Sequence, residues 1–208
     1  MAGLPLGTYV PALLIALFLA LMTFALLRSR KNQHEAWKGL AARHDWTFSE
    51  TPGAMEVQGL HQGRQLSLLT EKRGAGKHRH HVTVLRLDLG DVLGRDLVLE
   101  PEGLGDRFLK LFGRRDEETG DAELDAALDL KRVSPEVRAL LRAPEVGRRL
   151  LALREQAASF SIVAGMLEVE HHGIPETLGA LEARVAPALE LADALSTARQ
   201  QLRGRTSG

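Results

Sequence analysis

There is no cysteine among the 208 residues, which excludes disulfide staples, thiolate-bound zinc, iron–sulfur clusters and thiol nucleophiles together. That absence agrees with a reducing compartment. An excess of charge of one sign is missing too. Twenty-seven Lys and Arg balance 27 Asp and Glu, so no global field draws the chain toward nucleic acid or acidic substrates. The fingerprints of common chemistries are also lacking: no GxSxG, no HExxH and no dinucleotide-binding glycine motif occurs. The nearest approach to a phosphate loop is Gly76-Lys77. It carries Glu71 where the pattern wants its first glycine and His78 where it wants Ser or Thr. No catalytic residue and no cofactor is assigned on these grounds.

What is present is one long apolar run. Val10 to Leu27, VPALLIALFLALMTFALL, has 18 residues without a charge, close to the length a helix needs to cross a bilayer's hydrocarbon core. A helix apolar on every side has no solvated face, so the run reads as a transmembrane helix. Pro11 is compatible with this, because proline in a first turn removes no internal hydrogen bond. Before the run MAGLPLGTY has no Lys or Arg, whereas Arg28, Arg30 and Lys31 follow directly. The positive-inside rule then puts the N-terminus outside, Tyr9 at the outer headgroups and the rest of the chain in the cytoplasm. A cleaved signal peptide would carry its charges at the other end. Ala12, Ala16 and Ala20 recur every four residues, a small-residue stripe through which two copies of the helix would form a homodimer.

The expected division is residues 1–9 extracytoplasmic, 10–27 membrane-spanning, 28–33 a basic juxtamembrane segment, 34–200 a cytoplasmic domain and 201–208 a flexible tail. Trp37, Leu40, Ala41 and His44 repeat at helical spacing right after the span, either as its continuation or after a break near 29–32. Alternation around the turns Thr51-Pro52-Gly53 and Gln62-Gly63 predicts a meander, and Val82 to Leu89 is the strongest strand pattern, expected at the sheet's centre. Leu97 to Leu99 reads as a further strand and 107–112 as a short helix. Ser134-Pro135-Glu136 and Ala143-Pro144-Glu145 open two helices, 160–163 and 166–170 form a hairpin around Gly165, and a last helix starts at Pro175, with a kink at Pro187. A faint rhyme between 55–63 and 167–173 raises the question of a duplication. The fold class is α+β: one transmembrane helix, a mainly antiparallel sheet packed with helices, and a long C-terminal helix.

Two polar stretches are candidate sites. KRGAGKHRHH, residues 72–81, reads as a hairpin loop whose Lys72, Arg73, Lys77 and Arg79 join Arg28, Arg30 and Lys31 as candidate contacts for anionic lipid headgroups or phosphate. His78, His80 and His81 lack metal-ligand spacing on their own and would need His171 or His172. The second stretch places Asp116, Glu117, Glu118, Asp121, Glu123 and Asp125 within ten residues. Asp116, Asp121 and Asp125 are the candidate cation ligands there. The spacing departs from a calcium loop, since Gly120 falls fifth and Ala127 twelfth, and a solvated turn capped by Asp116 or Asp121 is the alternative.

The succession of a membrane helix, a tryptophan-bearing helix and a meander, then GRRDEETGD followed by Leu124-Asp125, and LEVEHHGIP before a long helix, resembles uncharacterised bacterial membrane-anchored domains of unknown function. It spans 34–200, and its most specific phrases are Thr119-Gly120-Asp121 with Asp125 and Gly173-Ile174-Pro175. The resemblance implies an anchored cytoplasmic domain and brings no chemistry. Three function classes follow: a noncatalytic module binding a protein partner, a headgroup- or phosphate-binding module, and a metal-dependent hydrolase using the acidic stretch with His171 or His172.

Overall fold

The computed structural model describes residues 10–101 and 119–206. The expected helix at 107–112 and Asp116 lie outside them. Helix α1 (Val10–His44) is continuous, with no break at 29–32. Among the described residues nothing covers its apolar half beyond residue 12: the large side chains from Leu13 to Leu27 are each between 54% and 67% exposed. Among the described residues one helix is therefore long and apolar enough to span a membrane. The second half of the same helix is different. Ala36, Trp37, Leu40 and Ala41 are buried in the domain core, while His44, at the end of the predicted face, is exposed and stacks on Trp46 at 4.3 Å.

The meander follows as β1 (Thr47–Thr51), β2 (Ala54–His61), β3 (Arg64–Arg73) and β4 (His80–Asp88), all antiparallel. The indole of Trp46 lies so close over Gly59 that a Cβ there would sit 2.0 Å from its ring, and its Nε1 donates to the Leu60 carbonyl at 3.1 Å. Only glycine admits that contact. A helical turn, α2 (Gly90–Leu93), leads to β5 (Val98–Pro101). After the undescribed segment come α3 (Ala122–Ala127), β6 (Leu128–Lys131), α4 (Pro135–Leu141), α5 (Pro144–Gln156), the hairpin β7 (Ser159–Val163) and β8 (Met166–His172), and α6 (Leu178–Thr206). The described strands form one eight-stranded antiparallel sheet in the order β1-β2-β3-β4-β8-β7-β5-β6, with β4 and β8 at its centre. The fold is mixed α+β, with a long apolar N-terminal helix and a long C-terminal one.

Strand alternation sorts the two faces. Val57, Leu68, Leu85, Val169 and Phe160 stand opposite one another across five strands and are all buried, under the layer built by α1, α5 and α6. Helix α6 crosses that face obliquely. Its Arg184 donates to the Gly173 carbonyl at 2.9 Å, and farther along Asp193 meets His61 at 2.7 Å and Ser196 meets Arg64 at 2.9 Å. It starts three residues later than Pro175 suggests, because the Thr177 hydroxyl accepts the Ala180 amide at 3.2 Å and caps it. It also runs through Pro187 and beyond Arg199 to Thr206. Partly buried Leu202, packed against the core, carries its apolar face into the stretch expected to be a flexible tail.

The two halves of α1 predict opposite sensitivities. Trp37 is fully buried, so Trp37→Ala should cost about 3–5 kcal/mol in unfolding experiments. Among the described residues, deleting everything before Gln33 removes contacts at the edge of the domain, including the Ser29–Glu176 hydrogen bond, worth roughly 1 kcal/mol. The shortened chain should melt cooperatively. A noncooperative melt would show that the apolar half completes the core.

Candidate functional site

Antiparallel pairing brings the start of β2, the end of β3, the start of β4 and the end of β8 to one end of the sheet, beside residues 26–33 of α1. A cleft of about 440 Å³ lies there, lined by Leu26, Ser29 and Arg30 of α1, Gly53 of the β1–β2 turn, His81 of β4 and Ile174. The Ser29 hydroxyl donates to Glu176 at 2.6 Å. The domain is thus fastened to α1 within one turn of Leu27, with no linker between them.

The basic candidates separate at this end. Lys72 and Arg73 belong to β3, and the predicted loop shrinks to residues 74–79 around a 3₁₀ turn, Gly76–His78. Gly74 has φ +86°, and a Cβ there would meet the His78 carbonyl oxygen at 2.4 Å, so this tight reversal requires glycine. Lys72, Lys77 and Arg79 are exposed, as are Arg28, Arg30 and Lys31 on α1. Arg73 is not a free cation. It pairs with Glu71 of its own strand at 2.9 Å and reaches across β4 to Glu168 at 3.1 Å and Glu170 at 3.4 Å, while Arg86 bridges Glu168 at 2.8 Å and Glu71 at 2.9 Å. This lattice lies on the sheet face away from α1 and α6, which also holds the buried Val82 and Val84. Glu168, with Glu71, holds the Arg86 guanidinium above its usual range against the opposing cost of burial. Each pair is about one-third exposed, which limits its contribution to roughly 0–1 kcal/mol.

The histidines separate by alternation. His81 faces the cleft with Arg30, His78 sits in the 3₁₀ turn, and His171 is buried on the helix-covered face. Burial first, and then the positive Arg184, lowers the His171 pKa and keeps the ring neutral. His80 and His172 point to the opposite face, with ring centroids 5.4 Å apart and edge to face, beside Glu170. Sequence reasoning named His172 as a needed partner and missed Glu170. The signal was the alternation Glu170-His171-His172 itself, but choosing β4 as its neighbour requires a pairing between residues some ninety positions apart.

The acidic candidates are engaged locally. Asp121 caps α3, its Oδ1 accepting the amides of Glu123 at 3.0 Å and Leu124 at 3.3 Å. Asp125 accepts the Thr119 amide and hydroxyl, both at 2.6 Å, and the Gly120 amide at 3.0 Å. Arg142 in turn donates to the Thr119 carbonyl. Burial works to raise the Asp125 carboxyl, but these hydrogen bonds and the nearby Arg142 charge outweigh it and hold the pKa below its usual value. Gly173 is likewise a fastening point: its carbonyl takes the Thr83 hydroxyl at 2.8 Å as well as Arg184, and its amide donates to the His81 carbonyl at 2.8 Å. Of the alanine stripe, Ala16 and Ala20 are exposed, and the side chain of Ala12 lies outside the described residues.

No family model, no curated protein and no solved structure matches the chain. The resemblance to membrane-anchored domains has no matching family behind it.

Asp125 offers a direct check on its structural role. Asp125→Ala strands the buried Thr119 amide and should cost about 1–3 kcal/mol near neutral pH. Because the folded-state pKa is lowered, this stabilisation is present above the unfolded value of about 4 and is lost as pH falls through the folded one. The gap between parent and variant should therefore narrow in acid. A gap independent of pH would contradict the assignment.

Proposed function

We propose that the chain is a single-pass, membrane-anchored, noncatalytic module whose folded domain is cytoplasmic, lies against the bilayer surface and presents the open sheet face to a protein partner. The carrying observation is the attachment of the domain to α1 at Leu26 and Ser29, immediately after the apolar run. A headgroup layer is roughly 5–8 Å deep on each side of the hydrocarbon core, and one helical turn rises about 5.4 Å. A domain fastened within one turn of Leu27 meets that layer with the sheet end that carries Lys77 and Arg79. The far end of the open face is suited to a partner: Leu60 (60% exposed) and Met166 (39%) line a depression of about 520 Å³, with Val163 (43%) paired to Met166.

A second reading rests on a separate observation. Six exposed cations, Arg28, Arg30, Lys31, Lys72, Lys77 and Arg79, gather at the sheet end beside α1, where each would contribute about 1 kcal/mol of attraction to anionic lipid. In this reading headgroup binding sets the domain's pose. It does not replace the partner.

Orientation is tested by a reporter that works only in the cytoplasm, fused after Gly208, which should be active; activity of a periplasmic reporter instead would overturn the topology. Headgroup binding is tested on the full chain purified with residual lipid. Anionic lipid should be enriched, and the enrichment should fall in high salt and in the triple variant Lys72→Glu, Lys77→Glu, Arg79→Glu. Equal enrichment in parent and variant would remove the second reading and leave the first intact.

A further inference from the structure

We propose that His80, Glu170 and His172 bind a divalent transition ion of the zinc class on the open sheet face, at the end beside the apolar half of α1. One donor atom from each of the three lies within 4.8 Å of the others. Bonds of about 2.0–2.2 Å in tetrahedral geometry place donors roughly 3.4 Å apart, so the set closes on an ion by side-chain rotation alone. Val82 stands opposite His172, which puts His80 on the adjacent strand, diagonally across from it on the same face, with Glu170 two residues before His172.

The surroundings supply the outer shell that such ligands use. His80 Nδ1 lies 3.2 Å from the His78 carbonyl oxygen, and by donating its proton there it leaves Nε2 with a lone pair for the ion. Arg73 Nε approaches Glu170 Oε2 at 3.4 Å, its longest carboxylate contact, while its Nη2 holds Glu71 at 2.9 Å and Glu168 at 3.1 Å. Binding at Glu170 therefore competes with the weakest of the three Arg73 interactions. The charge balance agrees: among the described residues Glu71, Glu168 and Glu170 pair with Arg73 and Arg86, three carboxylates with two guanidiniums, which leaves one negative charge beside the two imidazoles. Two imidazoles with one carboxylate select zinc-like ions over Mg²⁺ and Ca²⁺, which prefer oxygen throughout. Three protein donors and two exposed rings leave a fourth position open to water.

The test uses the full chain in neutral-detergent micelles, titrated with ZnCl₂ by calorimetry and followed by equilibrium dialysis with elemental analysis. One zinc per chain is expected, undisturbed by excess Mg²⁺. Affinity should fall about tenfold or more in each of His80→Gln, Glu170→Gln and His172→Gln. His81→Gln is the control, since that ring faces the cleft on the other side of the sheet. The metal-free circular dichroism and melting of the variants show whether each is folded, and the exposure of both site histidines leads us to expect that they are. Absence of stoichiometric binding in the parent, or binding that survives His172→Gln, or binding abolished equally by His81→Gln, would overturn the proposal.

Discussion

The structure depends on one helix with two unlike halves. The half of α1 before Arg28 is apolar on every side and exposed from Leu13 to Leu27, and the half after Gln33 buries Trp37, Leu40 and Ala41 against the sheet and α6. Because the helix is continuous, the position and tilt of one half fix those of the other. Ser29 with Glu176, just ahead of α6, and Arg43 with Glu182 in its first turns bind α1 to α6, and α6 in turn reaches β4, β2 and β3 through Arg184, Asp193 and Ser196. The sheet inherits its placement from α1 by this route.

From that placement follows a division of the open sheet face into three zones. Beside the apolar half of α1 lie His80, Glu170 and His172. In the middle the Arg73 and Arg86 lattice spans β3, β4 and β8, and at the far end Leu60 and Met166 leave apolar surface exposed. The middle zone contributes little net energy, because its groups are about one-third exposed. It shares its face with the buried Val82 and Val84 of the central strand.

How much of this was legible in the sequence depended on the range of the interaction. The hairpins at Pro52-Gly53, Gln62-Gly63 and Gly165 and the helix starts at Ser134 and Pro144 are written in adjacent residues, and they appear where the pattern puts them. The cap at Asp121 was local as well and could be named in advance. Pairing of β8 with β4 was not legible, since alternation defines a strand without naming its neighbour. The role of Arg73 was lost for that reason: it reads as part of a basic loop until β8 brings up Glu168 and Glu170. The same long-range pairing joined His80 to His172. The continuation of α6 past Arg199 was hidden by a polar composition, although Ala198 still faces the core.

The most direct test of the central claim, that α1 holds one end of the sheet in the headgroup layer, is depth-dependent quenching. An environment-insensitive fluorophore is attached through a cysteine introduced at Lys77 or at Leu60 in the full chain, which has no cysteine of its own. The protein is reconstituted in neutral bilayers containing headgroup-labelled quencher lipid. Strong quenching at position 77 and weak quenching at position 60 is the expected result. Equal quenching at the two positions, or stronger quenching at 60, would contradict it.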